Sequence, residues 1–269
     1  MRKTLHILRL FWSTAMAAEM EYRLNFLLTI ITCLGQTFGT ILTIPLFYKG
    51  NRALGGYPLE AALIVTGIYI LLDGLASTVM RPNLSRIITQ VRNGTLDFVL
   101  LKPIDAQFWL SLRNCSPWGI PNIVAGLAVI FHNGHKLSLS TTAYFLGLPA
   151  LLLGMTMLYS LWFMLGTLSI WFVKVPNITH VLTQLLEAGR FPITAFPMAY
   201  RLFFTLVVPV AFLTTFPADM MTGQHHFGAE FGAGGLLLLS ISFAVAATLL
   251  AGSRIFWRFA LRYYTSASS

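Results

Sequence analysis

The sequence predicts an all-α integral membrane protein with six transmembrane helices and both termini in the cytoplasm. Three observations carry that prediction. Of 269 residues, 56% are hydrophobic and 10% charged, whereas a soluble domain carries about 25% charged residues; mean hydropathy is +0.72. Six stretches approach the ~20 apolar residues that a helix rising about 1.5 Å per residue needs to cross about 30 Å of hydrocarbon. The cations are also segregated. There are 18 Lys and Arg against 9 Asp and Glu, and with six spans all the cations but Lys49, Arg52 and Lys136 fall on one side, as cytoplasmic loops collect them.

Residues 1–23 come first. Leu5, Leu8, Trp12 and Ala15 share one helical face and Arg2, His6, Arg9 and Ser13 another, the pattern of a helix lying in the membrane interface. His6 and Arg9 interrupt the apolar core that a cleaved signal peptide would need. The first span, 24–47, contains Asn25, Gln36 and Gly35-x-x-x-Gly39, expected as packing features. The second, 59–80, holds Asp73. A short helix then follows over 83–93, with Leu84, Ile87, Ile88 and Val91 on one face and Arg86 and Arg92 facing away. Asn83 is expected to cap it after Pro82, and Gly94 to end it. The third span, 114–131, has Pro117 and Pro121 near its start.

The fourth span, 142–173, is long enough for one tilted helix or a kinked one, since Gly147, Pro149, Gly154 and Gly166 weaken it. A second cytoplasmic amphipathic region, 174–197, puts Ile178, Val181, Leu182, Leu185 and Leu186 on one face between Asn177 and Gly189. Such helices either pack as satellites on the membrane surface or dock a cytoplasmic partner. The fifth span, 198–216, contains Pro209, and Pro217 follows it. A broken helix survives at membrane depth only where protein or a watery cavity shields its backbone. A re-entrant turn near the outer surface is therefore expected, with Phe216, Pro217 and Asp219 near its tip and an outer loop over 217–228. The sixth span, 229–252, closes the set; Gly228-x-x-x-Gly232 beside it is a weak packing pattern.

Several chemistries are excluded. The charge segregation accounts for the pI of about 9.9 without nucleic acid. No G-x-x-x-x-G-K-[ST] occurs, so this chain does not bind ATP through a P-loop, and H-E-x-x-H, G-x-S-x-G and C-x-x-C are missing too. His132 with His135, and His225 with His226, lack the further ligands that a metal site requires. Cys33 and Cys115 are expected as unpaired thiols. The sequons at Asn83, Asn93 and Asn177 fall in predicted cytoplasmic segments and are chance matches. No catalytic constellation is present, so an enzyme is not expected. Asp73 is the one acid in the interior of a predicted span, away from its ends. It is either a site for a cation, proton or substrate amine, or a helix–helix hydrogen bond to Ser77 or a neighbouring subunit.

Four segments together resemble the permease subunits of bacterial ATP-binding cassette exporters, of the type-2 class with six spans and a separate ATPase. They are Glu21-Tyr22-Arg23-Leu24-Asn25-Phe26, the run from Gly94 to Pro103, Gly189-Arg190-Phe191-Pro192, and Arg201-Leu202-Phe203-Phe204 continuing to Phe216-Pro217-Ala218. The resemblance covers nearly the whole chain. It implies that the amino-terminal helix is a connecting helix, that 81–113 is a coupling region seated in an ATPase cleft, and that re-entrant helices close the outer side. It further implies two copies of an ABC ATPase, a second permease as homodimer or heterodimer, contact with membrane lipid, and a place in the bacterial inner membrane. This chain would hold no cofactor; ATP and Mg would sit in the partner ATPase. Arg86, Arg92, Asp97 and Lys102 are the coupling candidates, against the alternative of solvated loop charges. Gln36, Asp73 and Phe216 are the substrate-pathway candidates, and an apolar, aromatic path with one acid suits a lipophilic or amphipathic cation. Two other readings are an ion- or proton-coupled carrier using Asp73 and a noncatalytic assembly scaffold.

Overall fold

A computed structural model describes residues 12–14, 23–48, 54–172, 175–224, 227–228, 232 and 234–264. Among these the chain is nearly all helical, and its one β pairing is an isolated bridge between Leu54 and Tyr57. Four helices are long and apolar enough to cross a membrane, or six spans if each of two bent pairs counts as one. They are α1 (Arg23–Phe47), α2 (Leu59–Arg92), α6 (Thr141–Thr167, prolonged by a 3-10 turn to Ile170) and α10 (Gly235–Leu261). The bent pairs are α4 (Ala106–Leu112) with α5 (Pro117–Lys136), at 59°, and α8 (Met198–Val207) with α9 (Ala211–Thr222), at 80°. Two shorter helices, α3 (Asp97–Leu100) and α7 (Val175–Leu186), complete the set.

The largest departure from expectation is in α2. The second span and the amphipathic helix after it form one rod, with no boundary at Pro82. A π-helical turn over Ala76–Met80 precedes Pro82, and its wider winding accommodates the ring where a regular turn would clash. Asn83 consequently caps nothing. It is 2% exposed; its Nδ2 donates to the carbonyls of Val79 (2.6 Å) and Asn114 (2.8 Å), and its Oδ1 accepts from Asn114 N at 2.9 Å. The other end of the helix meets expectation. Gly94 has φ +66°, Thr95 N bonds Gln90 O at 2.9 Å and Gly94 N bonds Val91 O at 3.3 Å, the paired bonds of a left-handed helix stop.

The core forms around α2. Helices in lipid gain little from hydrophobic association and rely on close packing of small residues. That is how α2 meets α5: a Cβ built on Gly126 would lie 2.6 Å from Leu71 N, and one on Gly74 2.7 Å from Ile123 N. Around this pair a continuous core takes in Tyr57, Ile64, Ile68, Met157, Phe212 and Phe216. A smaller core of Ile87, Leu96, Val99, Trp109, Phe163 and Trp257 lies at the end of the bundle that carries 81–113, called the basic end below.

Other boundaries shift. α5 continues past 131 to Lys136, and α6 is a single helix despite Pro149. α7 begins before Asn177, and Gly189 sits buried within a 3-10 turn over Glu187–Arg190 instead of ending a helix. The bend near the fifth span falls at Val208, extended at φ −116°, ψ 102°, because a residue preceding proline is held out of the helical region. Phe216, Pro217 and Asp219 are therefore not at a tip. They lie buried in α9, preceded by two π turns, over Phe203–Val207 and Ala211–Thr215. There the Asp219 carboxylate accepts from the Tyr57 hydroxyl and from Phe227 N (3.0 Å). α10 starts later than expected and runs through Arg254 and Arg258. Of the amino-terminal helix only 12–14 is described, as helix; Trp12 Nε1 donates to Leu112 O at 3.0 Å. The side chain of Asn25, His225–His226 and most of the Gly228–Gly232 pattern lie outside the described residues.

Candidate functional site

The principal site is an open polar cleft of about 520 Å³ between α1, α2, α5 and the end of α7. Its α1 wall is Gln36, Thr37, Gly39, Thr40 and Thr43; opposite stand Tyr69, Asp73, Arg81, Asn122, Glu187 and Arg190. Two of the three pathway candidates, Gln36 and Asp73, thus share one cavity. Phe216 does not line it. At 1% exposure it packs edge-on to Phe212, with ring centroids 6.1 Å apart.

Asp73 has the basic partner that the sequence did not disclose. Arg81 Nη2 lies 2.5 Å from Asp73 Oδ1, and Arg81 Nη1 donates to Ser77 Oγ at 3.0 Å. In an unbroken α-helix, residue i+8 stands roughly 80° round the axis from residue i. The π turn between them winds more slowly and brings Arg81 back toward the Asp73 face. Asn122 Nδ2 donates to the other carboxylate oxygen at 3.1 Å, while its Oδ1 accepts from Thr37 Oγ1 (2.7 Å) and Cys33 Sγ (2.9 Å). One directional chain of bonds therefore joins α1 to α2 through α5, and its acceptors fix which way the amide points. An intramembrane carboxylate demands such partners.

A second ion pair faces the same space. Arg190 Nη2 meets Glu187 Oε2 at 2.9 Å, three residues apart in a 3-10 turn, where such positions eclipse. The turn is tied to α2 by the Thr66 hydroxyl, 2.8 Å from Arg190 O. The Arg190 guanidinium carbon lies 5.7 Å from the centre of the Tyr69 ring. A further open groove of about 440 Å³ runs from Arg81 and Thr183 past Ile88, His180 and Arg92. Arg81 and Thr183 belong to both walls, so the cleft continues toward the basic end.

The coupling candidates gather at that end. Arg86 and Arg92 are exposed on α2. Asp97, at the start of α3, is half-buried beside Tyr264, whose hydroxyl is pushed above its ordinary range by burial first and by that carboxylate second. Lys102 folds back, with Nζ 4.5 Å from the centre of the Trp109 ring. Between them Phe98 and Leu101 stand 70% and 81% exposed, an outward apolar pair that a hydropathy reading could not distinguish from buried Val99.

A family model described as "ABC-2 family transporter protein" matches residues 34–268. No curated protein and no solved structure matches the chain.

Proposed function

The chain belongs to the ABC-2 transporter family, whose permeases are membrane transport components and not themselves catalytic, and from that premise we propose that it is the transmembrane half of an ATP-driven exporter. It pairs with a second permease, identical or paralogous, and with two ABC ATPase subunits that bind ATP and Mg. The basic end faces the cytoplasm, in a bacterial inner membrane with six spans. A lipophilic or amphipathic substrate enters the cleft between α1 and α2 and leaves by alternating access.

The observation that carries this reading is α2 itself. One uninterrupted rod of 34 residues bears Asp73 and Arg81 in the cleft and Arg86 and Arg92 at the exposed end. A partner pushing on Arg86 and Arg92 tilts the element that walls the cleft, the kind of rigid-body rocking by which two-state transporters work. Arg86, Arg92, Asp97 and Lys102 supply charge, and Phe98 and Leu101 apolar area, for that partner. Neither a proton carrier nor a scaffold needs this continuity.

The test is affinity purification of the tagged chain in mild detergent, with mass spectrometry and an ATP hydrolysis assay. A P-loop ATPase is expected with the native chain and is lost with the double substitution Arg86→Glu/Arg92→Glu, while the melting temperature holds. Deleting 83–93 would be uninformative, since Leu84 and Ile87 are core residues. Recovery of the chain without any ATPase, or equal recovery with the charge reversals, contradicts the proposal.

A further inference from the structure

The cleft carries information about its ligand beyond its being open and polar. Its charges balance as two carboxylates, Asp73 and Glu187, and two guanidiniums, Arg81 and Arg190. These four side chains are between 23% and 37% exposed, so each presents part of its charged surface to the cavity. A purely cationic head meets two guanidiniums here, and a purely anionic one two carboxylates. A head carrying both charges finds a complement for each.

The opposite wall has a different character. Thr40 and Thr43 spend their hydroxyl protons on Gln36 O (2.9 Å) and Gly39 O (2.7 Å) of their own helix, which leaves their oxygens as acceptors. Leu34, Phe38 and Leu42 are exposed on the opposite face of the same helix, whereas Phe47, one turn beyond Thr43 on the cleft-facing side, is an exposed apolar ring at the end of that wall. A polar head would sit within the cleft and an alkyl chain would leave along α1. Tyr69, one turn from Asp73, offers an aromatic face toward a quaternary ammonium.

We infer that the cleft selects amphipaths with a zwitterionic head, of the phosphocholine type, over singly charged or neutral amphipaths of the same chain length. This deepens the exporter reading and rests on it for the claim that the bound molecule is transported. The anionic group pairs with Arg81 and Arg190, and the cationic group lies toward Asp73, Glu187 and Tyr69. The cationic head that Asp73 alone would favour loses its advantage once Arg81 stands against that carboxylate.

The experiment measures saturable binding of radiolabelled lysophosphatidylcholine to the full chain held in amphipol. Unlabelled dodecylphosphocholine, dodecyltrimethylammonium, dodecyl phosphate and dodecyl maltoside serve as competitors. Dodecylphosphocholine is expected to displace the label at concentrations at least about tenfold lower than the other three. Glu187→Gln and Arg190→Gln should each weaken binding about tenfold, the scale of one lost charge-assisted hydrogen bond. Asp73→Asn/Arg81→Gln, which removes a pair without unbalancing charge, should weaken it further. Melting temperatures show that the variants fold. Equal displacement by the ammonium or the phosphate compound overturns the inference, as does binding indifferent to all of these substitutions. Copurification of an ATPase is scored separately. An ATPase with no zwitterion selectivity leaves the permease reading standing and removes this one; selectivity without an ATPase does the reverse.

Discussion

The 18-residue apolar stretches of the first two long helices are nearly equal in hydropathy, 1.7 in α1 and 1.8 in α2, yet 11% of one stretch and 67% of the other is buried within the chain. Their glycines show why. Gly35 and Gly39 of α1 have nothing within 4 Å of a built Cβ, whereas Gly67 and Gly74 of α2 have α5 against them. The small-x-x-x-small motif of α1 therefore packs nothing within this chain, and the glycines that do pack follow no such short pattern. Hydropathy places a segment in the bilayer; contact with a neighbour depends on which faces are small and where the polar groups find partners. α2 with α5 forms one rigid body, a frame that a partner pushing on Arg86 and Arg92 would tilt as a whole, and α1 is joined to it at mid-span through Thr37, Cys33 and Asn122.

The same substitution made in both helices gives the largest contrast. Gly126→Leu forces a side chain into the backbone of α2 and is expected to cost more than about 3 kcal/mol, the upper range for overpacking, with loss of monodisperse protein on size exclusion. Gly35→Leu should stay within about 0.5 kcal/mol, like other substitutions away from contacts. Comparable behaviour of the two would mean that α1 is packed and α2 is not the frame.

That junction provides the next effect. Asp73→Asn removes the acceptor for Arg81 but keeps a group that can meet Asn122. A loss of about 1–2 kcal/mol is expected, moderated by the openness of the pair, with a clear fall in melting temperature. Thr37→Val should cost less, about 1 kcal/mol, while loosening α1 alone. Hydrogen exchange along α1 that rises in Thr37→Val without change in α2 would sharpen the comparison; equal rises would erase it.

A smaller effect is expected at the basic end. Asp105 caps α4 by accepting from Phe108 N at 2.8 Å and takes a two-pronged bond from Arg254, one prong at 2.7 Å. The Arg254 hydrogen bond is the main reason its carboxyl is lowered from 3.8 to about 2. A lowered folded-state value means stabilisation that is complete above the unfolded value and lost as pH falls toward 2. Asp105→Asn should therefore lower the melting temperature by the same modest amount from pH 8 to pH 5, and the difference should shrink below pH 4. A difference that grows on acidification would contradict the assigned partner. Trp12→Phe, which removes only the bond to Leu112 O, should shift the melting temperature least of all.

The sequence discloses the membrane class, the limits of α1 and the stop at Gly94 because each rests on a local signal: apolar length, or a glycine needed at positive φ. The continuity of α2 was hidden because Pro82 and Asn83 form a helix-start signature, and only the π turn before them cancels it. The pairing of Asp73 with Arg81 was hidden for the same reason, since a spacing of eight residues predicts no contact until that turn is inserted. Gln36 was legible as a polar residue in an apolar run. Asn122, equally polar, sits amid Pro117 and Pro121 with no local signal of a partner, and Arg190 reads as a cytoplasmic cation within the Gly189–Pro192 run. Phe216 stands out in the sequence as an aromatic beside a proline, but the bend forms at Pro209, where the preceding residue is forced into extended backbone, and Phe216 lies in the core.

The most direct measurement compares two distances by electron–electron resonance in the purified permease–ATPase complex, in a Cys33→Ser/Cys115→Ala background. One pair of spin labels, at Leu34 on α1 and His180 on α7, spans the cleft. The other, at Ser85 on α2 and Phe131 on α5, reports the frame. On adding ATP and vanadate the first distance distribution should shift and the second should not. A fixed first distance with a changing second would contradict the division into α1 and a rigid α2–α5 frame that moves against it.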